Sequence, residues 1–357
     1  MRADLDNVIE NNRLIWVDII RIIGIIAVIA IHVEDSFIYL WNKIPWIDWW
    51  ASNIYMGFIR FPIPLFIILS GYLLLNKQED DRTFFKKRIN KVVIPLVAWS
   101  MIYWIFANNY NIYSIFTIDF VQRLLANKIY YHLYFLYIIL GLYLITPLLR
   151  RILEHSNMCD IHYYLVLWFI FSFINQLIGF FGYNIGIPLE AVTLNLGLYI
   201  LGYAIKNTQI TNRLKLLSGM LVVLSITITI IGTYFLVSES GQIDDSVSRL
   251  ISITSVTYAV GLFILVREAL SNLSLKGSMS ICGNIIGTIG GATMGIYLVH
   301  PIILHYICHG ISGIHFLSVD VISPIFSIPL VSFLLFVSSL LIVVIFQKIP
   351  IFRKIVP

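Results

Sequence analysis

The sequence predicts an all-α fold, a polytopic membrane bundle of about ten transmembrane helices with both termini cytoplasmic. Three observations carry this. The 357 residues are 59% hydrophobic and only 12% charged, with a mean hydropathy of +0.88, whereas a water-exposed globular surface needs roughly 25% charged residues. A soluble enzyme and a disordered scaffold are both excluded. The apolar residues fall in runs long enough to cross ~30 Å of hydrocarbon and lack the alternation of barrel strands, so helices must satisfy the backbone in lipid. With the N-terminus inside, 18 of the 24 Lys and Arg residues lie in cytoplasmic segments. Only Lys43, Arg123, Lys128 and Arg249 lie outside, and Arg21 and Arg60 sit within spans, as the positive-inside rule requires. The net charge of +5 is then a product of topology, and no basic surface interleaved with exposed aromatics suggests a nucleic-acid partner.

The polar residues 1–13 form a cytoplasmic segment, and the first span runs from Leu14 to Val33. It is too long for a signal-peptide core and no cleavage site follows, so it is retained. A charge inside the bilayer costs from about 2.5 kcal/mol upward, which makes intramembrane Arg and His functional candidates. Arg21 and His32 are 11 residues apart, so on a helix they share a face ~16.5 Å apart in depth, with Asp18 one turn before Arg21 as a partner. The plain alternative is that Arg21 snorkels and His32 sits among the headgroups.

The second span, 53–75, carries Arg60, Pro62, Pro64 and Ser70-Gly71-Tyr72, a kink beside a cavity or ordinary bundle irregularity. A loop with Phe84-Phe85-Lys86-Lys87-Arg88-Ile89-Asn90-Lys91 follows. Arg88 and Lys91 are one helical turn apart and able to face one anion, while Lys86 and Lys87 suit topology or contact with anionic lipid. The third span is 92–109, and His132 opens the fourth, 131–149. The spans 162–181 and 188–205 are joined by a tight turn at 182–186, and 214–237 and 250–266 come next. In 285–307, Gly283, Gly287, Gly291 and Gly295 recur every four residues ahead of His300, a spacing that lets helices approach closely. The span 324–346 and a cytoplasmic tail, 347–357, complete the chain.

His32, His132 and His300 fall at similar inferred depth in the outer half, and imidazole is the side chain best suited to take a proton near neutral pH. Each is equally readable as a hydrogen-bonded core histidine. Cys159, Cys282 and Cys308 lack metal or disulfide spacing, and no metal site is expected. Walker and nucleophile-elbow motifs are absent from the sequence. The constellation is a cationic inner mouth (Arg21, Arg88, Lys91) and a histidine-bearing outer half.

Several strings in order resemble the acyltransferase-3 family of integral membrane acyltransferases, in particular stand-alone surface-glycan O-acetyltransferases. They are Arg21 with His32 after ten intervening residues, Arg60-Phe61-Pro62-Ile63-Pro64-Leu65-Phe66, Leu69-Ser70-Gly71-Tyr72-Leu73 and Arg88-Ile89-Asn90-Lys91. His132-Leu133-Tyr134-Phe135-Leu136, Gly141-Leu142-Tyr143-Leu144 with Pro147, and Gly295-Ile296-Tyr297-Leu298-Val299-His300 follow. The likeness spans nearly the whole chain, read as one membrane domain, with departures at Lys91 (Arg in the family pattern), Ile22 (Gly) and Tyr134 (Trp). Lysine keeps the charge but not the bidentate fork.

The resemblance implies a multi-pass protein of the inner (plasma) membrane that moves an acyl group, usually acetyl, from cytoplasmic acyl-coenzyme A to a hydroxyl of a surface glycan or lipid-linked saccharide. On this reading acetyl-coenzyme A is the co-substrate, and Arg88, Lys91 and Arg21 receive its phosphates. His32 is the general base, oriented by Asp35, and His300, Tyr297 or Arg60 steadies the oxyanion, with His132 and Ser70 completing the substrate-binding set. A homo-oligomer stays open. The rival class is a transporter or flippase for an anionic solute or lipid-linked sugar that uses the same cations as its binding site.

Overall fold

A computed structural model describes residues 15–179, 183, 194–271, 280–309 and 322–357. It is 85% helical, and no strand occurs among the described residues. The helices are α1 (Ile15–Ile38), α2 (Trp46–Ile59), α3 (Pro62–Leu74), α4 (Asp81–Arg88), α5 (Ile94–Ala107), α6 (Ile118–Leu125), α7 (Tyr134–His155), α8 (Met158–Gly179), α9 (Leu194–Asn207), α10 (Asn212–Ser240), α11 (Asp245–Leu270), α12 (Ser280–His309) and α13 (Pro324–Lys348). Among the described residues, nine helical segments are long and apolar enough to cross a membrane. The tenth expected span, 188–205, falls partly outside the described residues, which hold it as the 14-residue α9. The expected N-terminal segment 1–13 and most of the turn at 182–186 also lie outside them.

Two local expectations are corrected. The second span begins earlier, at Trp46, and is broken rather than continuous. Pro62 has no N–H to continue the ladder and disfavours helical backbone before it, so α2 stops at Ile59 and α3 restarts at Pro62 with Arg60 at the break. The basic stretch 84–91, expected as a loop, is helical: α4 passes through a π-helical turn, Ile89–Val93, into α5. Asp80 caps α4 by accepting from the Thr83 N–H at 3.0 Å. Pro95 supplies no donor to the Lys91 carbonyl one turn back, and the switch to i→i+5 bonding, with the Ile94 N–H on the Ile89 carbonyl, accommodates that loss.

The contacts divide the chain into two compact units. Of the described residues, the first contains those within 1–66, 209–293 and 316–334, the second those within 67–208, 294–315 and 335–357. In the first, α10 and α11 pack through small polar residues. Thr229 donates to Thr254 at 2.7 Å, the Ser225 and Thr257 hydroxyls pair at 2.7 Å, and Gly261 faces the Ser218 carbonyl too closely for any side chain. Such residues let backbones approach in lipid. Ile38, Trp49, Met56, Val237 and Val247 form its buried core at the C-terminal end of α1, where the Trp49 indole N–H donates to the Ile38 carbonyl at 3.0 Å. In the second unit α3 and α9 cross at Gly71 and Gly202. A methyl on either would lie 1.8 Å from the Tyr199 carbonyl oxygen or 2.1 Å from that of Ile68. The final residues, 347–357, are held there: the Trp99 indole donates to the Ile355 carbonyl at 2.8 Å, and Val356 is fully buried.

Candidate active site

The first unit gathers its ionisable side chains along α1. The helix is unbroken from Ile15 to Ile38, so the 11-residue interval does place Arg21 and His32 on one face. Arg21 ion-pairs with the buried Asp18 at 3.1 Å. Asp18 lies so close to Gly290 of α12 that a Cβ there would meet its carboxyl group at 2.6 Å. On α12 the close approaches run through Gly290 and, of the expected four-residue stripe, through Gly295, where a Cβ would lie 2.6 Å from Val343, while Gly291 is exposed.

Near the other end of α1, the half-buried His32 sits within the field of Asp35 and Arg60. Glu34, fully buried, accepts from Ser52 Oγ at 2.9 Å through one oxygen and from Arg60 Nη2 at 2.7 Å through the other. Arg60 Nη2 also reaches Asp35 Oδ1 at 2.5 Å. The helix break at Arg60 is what lets its guanidinium serve both carboxylates. A charge taken out of water is tolerable when paired and hydrogen-bonded in this way. Asp35, expected to orient His32, is engaged by Arg60.

In the second unit, His132, Tyr297 and His300 come together. The His132 and His300 ring centroids are 5.9 Å apart, and Tyr297 lies 5.3 Å from His132. All three side chains are buried, and the Tyr297 hydroxyl donates to the His132 carbonyl. His300 Nδ1 lies 3.1 Å from the Ile296 carbonyl. A carbonyl only accepts, so in this arrangement Nδ1 carries the proton and Nε2 of the neutral ring is the basic nitrogen. Tyr103 adds an edge-on ring 4.8 Å from His132 and donates to the Leu298 carbonyl at 2.7 Å.

The cationic end of this unit is built on α4 and α7. Arg88 stacks over Phe84 and Tyr143 at 5.0 and 5.2 Å, and Arg150 covers Phe84 at 4.7 Å, so two guanidinium groups share one aromatic ring. Arg150 also donates to the Leu74 carbonyl at 2.8 and 3.0 Å, which satisfies the end of α3. Lys91 is exposed on the π-helical turn, and Ser70 is half-buried on α3 beside the Gly71 crossing. A cavity of about 320 Å³ is lined here by Lys77, Glu79, Asp81, Arg150, Arg151 and Tyr203, among others. Glu79 pairs with Lys87. Burial pushes its carboxyl up, but the Lys87 hydrogen bond and the charges of Lys87, Lys77 and Arg88 outweigh that and hold it below the ordinary range.

The structure therefore brings Arg21, His32 and Arg60 into the first unit, and His132, Tyr297, His300, Arg88, Lys91 and Ser70 into the second. Glu34 was not among the expected site residues: it lies one residue past the expected span Leu14–Val33, and it is the continuation of α1 to Ile38 that brings it into the bundle. Tyr103 and Ser52 had no signal in the sequence. Among the described residues, no group of three His, Cys, Asp or Glu side chains is placed to hold a metal ion. A family model described as an acyltransferase domain matches residues 14–348. No curated protein and no solved structure matches the chain.

Proposed function

The chain belongs to the acyltransferase-3 family, and from that premise we propose that this multi-pass membrane acyltransferase uses acetyl-coenzyme A to O-acylate a hydroxyl of a surface glycan or lipid-linked saccharide. The observation that carries the reading is an imidazole, His32, inside a membrane-spanning helix, within the field of a carboxylate and a guanidinium and on the same face as the Arg21–Asp18 pair. Lipid contact alone gives no reason to keep such a set in a span.

In the proposed reaction His32 accepts the proton of the acceptor hydroxyl as its oxygen attacks the thioester carbonyl. The tetrahedral intermediate collapses with cleavage of the C–S bond, and the proton passes from the imidazolium to the departing thiolate. Prior transfer of the acyl group to the imidazole fits the same residues. Arg88, Lys91 and Arg21 are assigned to the donor's phosphates, since guanidinium and ammonium groups are the natural phosphate partners. Tyr297 and His300 are assigned to oxyanion stabilisation, with His132 and Ser70 on the substrate, and the chain is read as a single acyltransferase domain of the inner membrane.

Purified protein with radiolabelled acetyl-coenzyme A and a glycan acceptor tests the reading. Thioester consumption with label on the acceptor is expected. His32→Ala should abolish transfer while coenzyme A binding persists, and full activity in that variant overturns the base assignment. Solute flux without thioester consumption would favour a carrier.

A further inference from the structure

The first unit contains a cavity of about 180 Å³ lined by Ile38, Tyr39, Met56, Arg60, Ile243 and Ile251. This is the room of about six liquid waters, enough for one small ring and no polymer. Four of its walls are aliphatic, and Tyr39, 58% exposed, supplies an aromatic face. Among the described residues, its one charged lining residue is Arg60. The guanidinium Nη2 is committed to Glu34 and Asp35, while Nε is buried with no hydrogen-bond partner among the described residues. A buried N–H of this kind needs an oxygen to accept from it. Asp35, a third exposed, offers carboxylate lone pairs beyond the one that Arg60 uses.

The charge balance narrows the ligand. One guanidinium faces two carboxyl groups, so whichever way Glu34 holds its proton the cluster is not positive. A phosphate or carboxylate would gain nothing from Arg60 that Asp35 does not take back. Arg60 Nε offers a donor, Asp35, held on the same guanidinium beside the cavity, offers acceptors, and the lining offers an aromatic face and apolar walls, a set that suits a neutral ligand with both hydroxyls and a C–H face.

We propose that this cavity is the acceptor subsite and takes a single uncharged pyranose ring, packed on Tyr39, with hydroxyls donated to Asp35 and a ring or hydroxyl oxygen accepting from Arg60 Nε. The assignment rests on the acyltransferase reading above and specifies its acceptor. It also gives Asp35 a use: one turn along α1 from His32, it holds a neighbouring hydroxyl while the imidazole acts on the reacting one. Glu34 and Ser52 are positioning residues that fix the guanidinium.

The test is direct binding without donor, which separates this proposal from the reaction. Full-length protein in nanodiscs is titrated with methyl β-D-glucopyranoside, methyl β-D-galactopyranoside, methyl α-D-mannopyranoside and methyl β-D-glucuronide by calorimetry. At least one neutral pyranoside should bind, about tenfold or more tighter than the glucuronide. Tyr39→Ala should weaken that binding about tenfold while Tyr39→Phe retains it, and Asp35→Asn should close much of the gap to the glucuronide. Ile243→Trp, which fills the cavity, should abolish binding if Tyr39→Ala proves unable to fold. Failure of all three neutral pyranosides to bind, equal affinity for the glucuronide, or wild-type affinities in Tyr39→Ala, Asp35→Asn and Ile243→Trp would overturn the proposal. Pyranoside binding without any acyl transfer would leave the site standing and remove the enzyme reading. Acylation of glucuronide as readily as of the neutral sugars would do the reverse.

Discussion

Arg60 is the residue on which the first unit's polar cluster turns. Removing one partner from a buried ion pair costs about 3–5 kcal/mol, because the other charge is left without compensation. Arg60→Met should therefore lower the thermal midpoint in detergent strongly, and Arg60→Met combined with Glu34→Gln should recover part of the loss. A double variant no more stable than the single one would show that Glu34 is not held by Arg60. Glu79 gives a pH-dependent counterpart. Its carboxyl is lowered on folding, so its contribution is present above the ordinary Glu value of 4.5 and is lost as pH falls toward the lowered one. Wild type should exceed Glu79→Gln in stability at neutral pH and lose that advantage on acidification below about 4.5; an advantage that grows on acidification would contradict the sign. Much of the candidate site was legible at this scale, because Arg and His inside apolar runs are expensive enough to signal themselves. Which carboxylate each would meet was not, since the sequence gives no sign that Arg60 falls at a helix break.

Among the elements, the crossing of α3 and α9 is the least tolerant contact. Gly71→Ala puts a methyl 1.8 Å from a backbone oxygen that no rotamer change can move, so the helices must separate, at a cost of about 1–3 kcal/mol or more. Gly141 in α7 has nothing within 4 Å of its position, and there Gly141→Ala should be neutral or stabilising by up to about 1 kcal/mol through helix propensity. Parallel thermal melts of the two variants check the contrast, and equal midpoints would deny the close crossing. The spans themselves were readable from apolar run length alone. Their ends were not, because helices continue past the apolar run: α11 begins at Asp245, where Asp244 accepts from the Ser246 and Val247 N–H groups at 2.8 and 3.2 Å, five residues before the apolar stretch starts. The helix through 84–91 was missed for a similar reason, since its composition is that of a surface and its cap and π-helical turn are set by single residues, Asp80 and Pro95.

At the scale of the whole molecule, the distribution of Lys and Arg predicts a topology that can be tested with the native thiols. Cys159 and Cys282 are exposed and belong to ends of α8 and α12 that the positive-inside rule predicts to be cytoplasmic. A membrane-impermeant maleimide added to sealed right-side-out vesicles should leave both unlabelled until the vesicles are permeabilised. Labelling of either from outside would invert the assignment. The two compact units were invisible in the sequence because each is assembled from stretches far apart in the chain, with no repeat to mark them. Yet Glu34 and Arg60 lie on consecutive spans, both within the first 66 residues. During synthesis the acid enters the bilayer first and the base follows one hairpin later, so each can cancel the other as the second segment leaves the insertion machinery. The buried Arg60–Glu34 pair, 2.7 Å apart, can thereby close before the later spans are made, so the order of translation bears on how this cluster is assembled.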